Sequence, residues 1–139
     1  MSGGALIVDA NVFVAMFSGE SGAAVWRKSI AGLTLCAPRT ARLECAIAFS
    51  RKVRRGFMTS SQAIAAMALV DTLGVDWSEL DDATIDRALM LSLAVGHEVA
   101  DCVYLAMALA AKAPLATADA KLAAVAARQG VEVLALSAD

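Results

Sequence analysis

Four acidic residues stand where they can act together. Asp9 follows directly on a short apolar run, Ala5-Leu6-Ile7-Val8, and Asp119 follows another, Leu115-Ala116-Thr117-Ala118. Glu44 and Asp101 fall in stretches with helical patterning, Asp101 among Val99, Ala100, Cys102 and Val103. An acid in so apolar a setting is costly unless something positive holds it. Four carboxylates gathered in one place raise one another's pKa values, and a divalent cation removes that penalty. The donors are carboxylate oxygens, without imidazole or thiolate, which suits Mg2+ or Mn2+. Such ions activate water and clamp a phosphodiester during in-line attack. Asn11, two residues after the first aspartate, and Thr117, two before the last, can orient a ligand carboxylate. Each acid also has a plain alternative. Asp9 and Asp119 can be helix caps. Asp101 can complement the positive end of its helix. Glu44 can be an exposed acid paired with Arg51 or Lys52. The joint pattern favours the metal reading.

The elements that must bring these groups together alternate along the chain. Strand-like segments fall at residues 5–8, 33–37, 75–77, 114–117 and 131–136. Helix-like stretches cover residues 10–17, 21–31, 38–54, 59–73, 81–95, 98–112 and 119–129. Ser21, Thr59 or Ser60, Asp81 or Asp82, and Asp119 are the expected N-caps, and Gly32, Gly56, Gly74, Gly96 and Gly130 the stops. Pro38 is expected inside the first turn of its helix. The stretch at 98–112 is apolar nearly all round and should be central. This alternation predicts one α/β domain over residues 1–139: three layers, a mainly parallel five-stranded sheet, helices on both faces. Ligands in such sheets bind beyond the carboxyl ends of the strands. If the first and fourth strands are neighbours, Asp9 and Asp119 meet at that edge.

Composition narrows the class further. The 139 residues are 59% apolar, and alanine supplies 32 of them, which points to closely packed helices rather than lipid. The longest charge-free run, residues 56–70, is 15 residues and includes Thr59-Ser60-Ser61-Gln62. A membrane-spanning helix takes about 20 apolar residues, so none is expected. No basic segment precedes the first apolar residues, so no secretory signal is expected. Cys36, Cys45 and Cys102 are odd in number and far apart, and with the single His97 they form no zinc pattern. Free thiols fit a reducing compartment, hence the cytoplasm. The net charge of −2 hides an uneven distribution: eight of 12 basic residues lie between Arg27 and Arg55. That segment suits a polyanionic partner, and a solvated helix face is the simpler alternative.

Four segments resemble, in order, the motifs of PIN-domain nucleases. They are Ile7-Val8-Asp9-Ala10-Asn11-Val12-Phe13; Pro38 followed by Glu44 in a helix; Asp101-Cys102-Val103-Tyr104-Leu105-Ala106-Met107-Ala108; and Leu115-Ala116-Thr117-Ala118-Asp119. The resemblance spans essentially the whole chain. It implies a Rossmann-like core with one or two Mg2+ or Mn2+ ions held by Asp9, Glu44, Asp101 and Asp119. By similarity, Asn11 and Thr117 are the supporting polar residues. The implied activity is cleavage of single-stranded RNA, leaving a 3′-hydroxyl and a 5′-phosphate. Compact bacterial members are mostly VapC-type toxins, commonly homodimers, silenced by a VapB-type antitoxin whose tail reaches the acidic pocket. Some members carry a further acid soon after the last aspartate. Ala120 and Lys121 stand there instead, which leaves a second ion in doubt.

Arg39 and Arg42 share a helix with Glu44 and are the best candidates to hold an RNA backbone. Seven aromatics are too few for a base-stacking platform. Phe57, Met58, Ile64, Met67 and Val70 are more apolar than an exposed helix needs. They are expected either to pack in the core or to meet an antitoxin or a second subunit. Two other functions are open. One is a catalytically silent interaction domain on the same fold. The other is a phosphatase with Asp9 as nucleophile, resembling haloacid dehalogenases. Asn11 stands where that family has its second aspartate. No glycine-rich loop follows the first strand, which excludes dinucleotide binding of the usual kind.

Overall fold

The computed structural model describes residues 4–135. Its elements in chain order are β1 (Ala5–Val8), α1 (Ala10–Phe17), α2 (Ala23–Ile30), β2 (Thr34–Pro38), α3 (Arg39–Arg54) and α4 (Ser60–Asp71). There follow β3 (Asp76–Ser78), α5 (Asp82–Val95), α6 (Val99–Ala111), β4 (Leu115–Ala116), α7 (Ala120–Arg128) and β5 (Val133–Leu134). The strands form one parallel sheet in the order β3-β2-β1-β4-β5. β1 is therefore central, and the chain winds outward from it first to one side, then to the other. The reversal falls between β1 and β4, which is where a sheet of this kind opens a crevice for ligands.

The sequence explains why β1 takes that place. Leu6, Ile7 and Val8 are all buried, so both faces of the strand are covered, as an unbroken apolar run requires in a parallel sheet. Helix α6 packs on β1, β2 and β4, and Cys102, Val103, Tyr104, Leu105, Ala106 and Ala108 are all buried along it. Helix α1 packs against α2, α3 and α4. Small side chains let these layers approach: Ala37, Ala41, Ala66, Ala106, Ala108, Ala116 and Ala126 have almost no exposed surface. Part of the alanine excess is thus core material, and the rest lies on helix surfaces and in loops. Among the described residues no single helix is long and apolar enough to cross a membrane.

Most local signals act as the residue types dictate. Thr59 and Gln62 form a reciprocal capping box on α4, and Asp81 caps α5. Gly96 ends α5 with φ of 72°, a left-handed turn that a side chain at that position would strain. Three details differ from expectation. Ser21 does not cap α2: Gly22 occupies the N-cap with φ of 89° and no side-chain bond, because that left-handed geometry excludes a serine. Pro38 closes β2 and stands at the N-cap of α3, one position before the first turn, with ψ of 149°. The last strand is confined to Val133–Leu134, and Leu136 of the expected segment lies outside the described residues.

The apolar group considered for a partner surface divides in two. Met58 and Val70 are buried and Met67 packs against the core, whereas Phe57 and Ile64 are each 74% exposed.

Phe13 of α1 is fully buried and meets the ring of Trp77 on β3 at 5.9 Å between centroids. Phe13→Ala should cost about 3–5 kcal/mol, read as a lower urea midpoint with an unchanged m-value. A loss below about 1 kcal/mol would show that α1 does not pack as described.

Candidate metal centre

The register of β1 against β4 builds the site. Ile7 pairs with Leu115 and Val8 with Ala116, so the next residue of each strand, Asp9 and Thr117, stand side by side. The Asp9 amide donates to the Ala116 carbonyl at 2.9 Å. The Thr117 hydroxyl donates to Asp9 Oδ2 at 2.8 Å and accepts from the Asp119 amide at 3.0 Å. Asn11 crosses the same gap: its Nδ2 donates to Thr117 Oγ1 at 3.5 Å, and its Oδ1 accepts from the Ala118 amide at 3.0 Å. Both supporting residues expected from sequence thus tie the two strand ends together. Asp9 and Asp119 also cap α1 and α7, so the plain reading of each holds beside the site reading.

Glu44 comes from α3 and Asp101 from the first turn of α6. Asp9, Glu44 and Asp101 line an open cleft of about 240 Å³ together with Ala10, Asn11, Val14 and Ala48. Asp119 does not line it. It sits beside Asp101 through His97, whose Nε2 lies 2.9 Å from Asp101 Oδ2 and 4.0 Å from Asp119 Oδ2. The four acids thus form one chain of neighbours, with Asp101 as the common member.

Two contributors escape the sequence reading. The Tyr104 hydroxyl donates to Glu44 Oε1 at 2.6 Å and accepts from the Ala10 amide at 3.3 Å. Tyr104 follows Asp101 by three residues on the same helix, so a helical spacing could have flagged it. His97 precedes Asp101 by four, a spacing that on a helix puts both on one face, although a lone histidine forms no zinc pattern. Conversely, Arg39 and Arg42 do not line the cleft. Arg39 pairs with Glu79 at 2.8 Å, and Arg42 makes a two-pronged contact with Asp71 at 3.0 Å on each prong. Among the described residues Lys28, Arg51, Arg54 and Arg55 make no ion pair.

The electrostatics of the cleft are unbalanced. Burial, opposed by the Thr117 hydrogen bond and reinforced by Asp101 and Glu44, pushes the Asp9 pKa from 3.8 up to about 6. Burial also raises Glu44 and Asp101, with Tyr104 and His97 opposing the shift in turn. Burial and the nearby Glu44 and Asp9 charges drive the Cys45 thiol up to about 12, so it is inert beside the site. The Tyr104 hydroxyl is raised as well, first by burial, and remains a donor. No lysine or arginine among the described residues contacts Asp9, Glu44 or Asp101. Crowded carboxylate oxygens without a fixed cation are the donor set of a hard divalent ion. The residues present therefore fit Mg2+ or Mn2+, with Asp9, Glu44 and Asp101 bordering the cleft and Asp119 beside them.

A parallel α/β sheet with clustered carboxylates at its switch point offers hard oxygen donors where such sheets bind ligands. The comparisons make this specific. A PIN-domain family model matches residues 6–128, and the chain belongs to that family, whose members are in general nucleases. No curated protein sequence matches the chain. Three solved structures share its fold. VapBC2 from Rickettsia felis, bound to a DNA fragment from its promoter, is 11% identical with a TM-score of 0.70, covering 96% of this chain and 99% of that one. PAE2754 from Pyrobaculum aerophilum is 20% identical with a TM-score of 0.71, covering 94% and 83%. A toxin–antitoxin complex from Klebsiella pneumoniae is 17% identical with a TM-score of 0.62, covering 86% and 90%.

The raised Asp9 pKa sets a pH dependence. The folded chain holds the Asp9 proton more tightly than the unfolded chain between pH 3.8 and about 6. In metal-free protein the resulting stability is complete below 3.8 and is lost as pH rises through about 6, by about 3 kcal/mol at most. Metal-free Asp9→Asn should therefore be more stable than wild type near neutral pH, with the difference vanishing in acid. Chemical denaturation across pH in the presence of a chelator measures this. Equal destabilisation of the variant at every pH would contradict it. Tyr104→Phe should leave the fold intact but weaken divalent-cation affinity by about 10-fold or more, because Glu44 loses its orienting donor. Calorimetric titration checks it, and unchanged affinity would remove Tyr104 from the site.

Proposed function

We propose that this chain is a metal-dependent endoribonuclease, cleaving single-stranded or structured RNA, and the toxin of a VapBC-type toxin–antitoxin pair. One observation carries the reading. Three carboxylates, each with a raised pKa, face one cleft at the sheet's switch point, and among the described residues no lysine or arginine pairs with them. Family membership and fold likeness to toxin–antitoxin proteins support the class.

Asp9, Glu44, Asp101 and Asp119 would hold Mg2+ or Mn2+, which would supply charge stabilisation to the scissile phosphate and a more acidic water. The protein's own part is positioning. Thr117 and Asn11 fix the Asp9 carboxylate against the β4 end, and Tyr104 fixes Glu44 against α1. Carboxylates held this way are set before substrate arrives, so little reorganisation accompanies the reaction. No side chain acts as nucleophile in this scheme. Asp9, the acid most deeply buried, is the one whose loss should be felt most.

The RNA backbone would meet the basic segment. The Arg39 and Arg42 ion pairs are exposed and worth only about 0.2–1 kcal/mol, so a phosphate can displace Glu79 or Asp71 at small cost. Arg51, Arg54 and Arg55 add positive charge at the other end of the same helix. The proposed partners are a VapB-type antitoxin and a second copy of the chain. Phe57, in the turn before α4, and Ile64 on α4 are the exposed part of the surface assigned to one of them.

Purified protein with Mn2+ should cut an RNA pool, lose that activity with chelator, and lose on the order of 10²–10³-fold in Asp9→Ala. Wild type that cuts no RNA with either ion, while folded, would overturn the nuclease reading in favour of a silent interaction domain. The double variant Phe57→Glu with Ile64→Glu should stay folded and fail to retain the protein encoded beside it or its own dimer. Unchanged association would clear this surface of any partner role.

A further inference from the structure

His97 stands beside two of the carboxylates, Asp101 and Asp119, at the junction of α5 and α6. It lies just after Gly96, whose left-handed turn separates α5 from α6, and its ring returns toward the first turn of α6. The His97 carbonyl accepts from the Ser92 hydroxyl and from the Cys102 thiol, so the backbone that carries the ring is anchored on both helices. The side chain is 13% exposed. One donor atom each from His97, Asp101 and Asp119 lies within 4.8 Å of the others.

We propose that His97 is a direct ligand to a cation, forming with Asp101 and Asp119 a mixed nitrogen–oxygen position that selects Mn2+ over Mg2+. The proposal rests on the metal-dependent reading of the site. Both separations from the imidazole suit shared coordination of one ion. Metal–donor bonds of about 2.1 Å place donors about 3 Å apart in adjacent positions and about 4.2 Å apart across the ion. His97 Nε2 stands 2.9 Å from Asp101 Oδ2 and 4.0 Å from Asp119 Oδ2. The chemistry follows from the donors. Both ions favour carboxylate oxygen, but Mg2+ sheds its waters reluctantly, whereas Mn2+, as a first-row transition ion, accepts a nitrogen donor more readily. A site with one nitrogen among carboxylates therefore separates the two. Asp101 also borders the acidic cleft, so this position would adjoin the one served by Asp9 and Glu44. The simpler role for His97 is a hydrogen bond that steadies Asp101, with no bond to the ion.

Pulsed electron paramagnetic resonance on the Mn2+ complex of the full chain distinguishes these roles. Direct ligation predicts a nitrogen coupling from imidazole in wild type, absent in His97→Gln. Calorimetry should show Mn2+ affinity falling at least about 10-fold in that variant, with Mg2+ affinity changing less. His97→Asp, which restores a carboxylate, should bind cation and prefer Mn2+ less than wild type does. A wild-type Mn2+ complex without nitrogen coupling overturns the proposal, and needs no folded variant to do so. An unchanged Mn2+-to-Mg2+ ratio in a folded His97→Gln overturns it as well. In both cases, Mn2+ binding lost in Asp9→Asn leaves the metal-dependent reading standing. Wild type that binds neither ion overturns both.

Discussion

The parallel pairing of β1 with β4 is the constraint on which the rest depends. It sets Asp9 beside Thr117 at one sheet edge, with Asp119 two residues further on. The helices that follow these strands then start at the carboxylates themselves. Capping and clustering are therefore one arrangement, not rival explanations. The same oxygen of Asp119 that accepts from the Lys121 and Leu122 amides fixes the carboxylate near Asp101. The cost is concentrated negative charge. It adds to burial, the first cause, in raising the pKa values of Asp9, Glu44 and Asp101. A fold that needed only capping would have no reason to bring Glu44 and Asp101 to the same place.

The core makes this arrangement rigid. Tyr104 is fully buried on α6, yet its hydroxyl reaches across to Glu44 on α3 and the Ala10 amide on α1. Cys45, one residue after Glu44, donates to the Ala10 carbonyl. Three helices are thereby fastened around the cleft by groups that also fill the core. Among the described residues, no buried side-chain polar atom lacks a hydrogen-bond partner. Stability and site geometry are coupled here, because the same side chains serve both.

Much of this was legible in the residues, and the physical reasons separate what was from what was not. Strand-end acids could be placed because apolar runs and their stops mark strand ends, and parallel sheets put ligands there. Asn11 and Thr117 follow from the same reasoning. Tyr104 falls in a stretch whose apolar character marks it as central, and that pattern says nothing of its hydroxyl. Only the folded path of α3 shows where its hydroxyl goes. His97 was judged by its number rather than by its spacing to Asp101. Arg39 and Arg42 were placed by their helix alone, whereas their partners, Glu79 and Asp71, come from other elements. The five apolar residues from Phe57 to Val70 could not be sorted by type, since burial there depends on which face of α4 meets α1 and α3. The small displacements at Ser21 and Pro38 come from backbone geometry that residue type constrains weakly.

The central claim is that the carboxylates gathered at the β1–β4 edge form a cation site. Crystals grown with Mn2+ and measured at a wavelength that makes manganese scatter anomalously would test it most directly. The account predicts an anomalous peak within bonding distance of carboxylate oxygens from the group Asp9, Glu44, Asp101 and Asp119. No peak there, in crystals whose cleft is open to solvent, would contradict it.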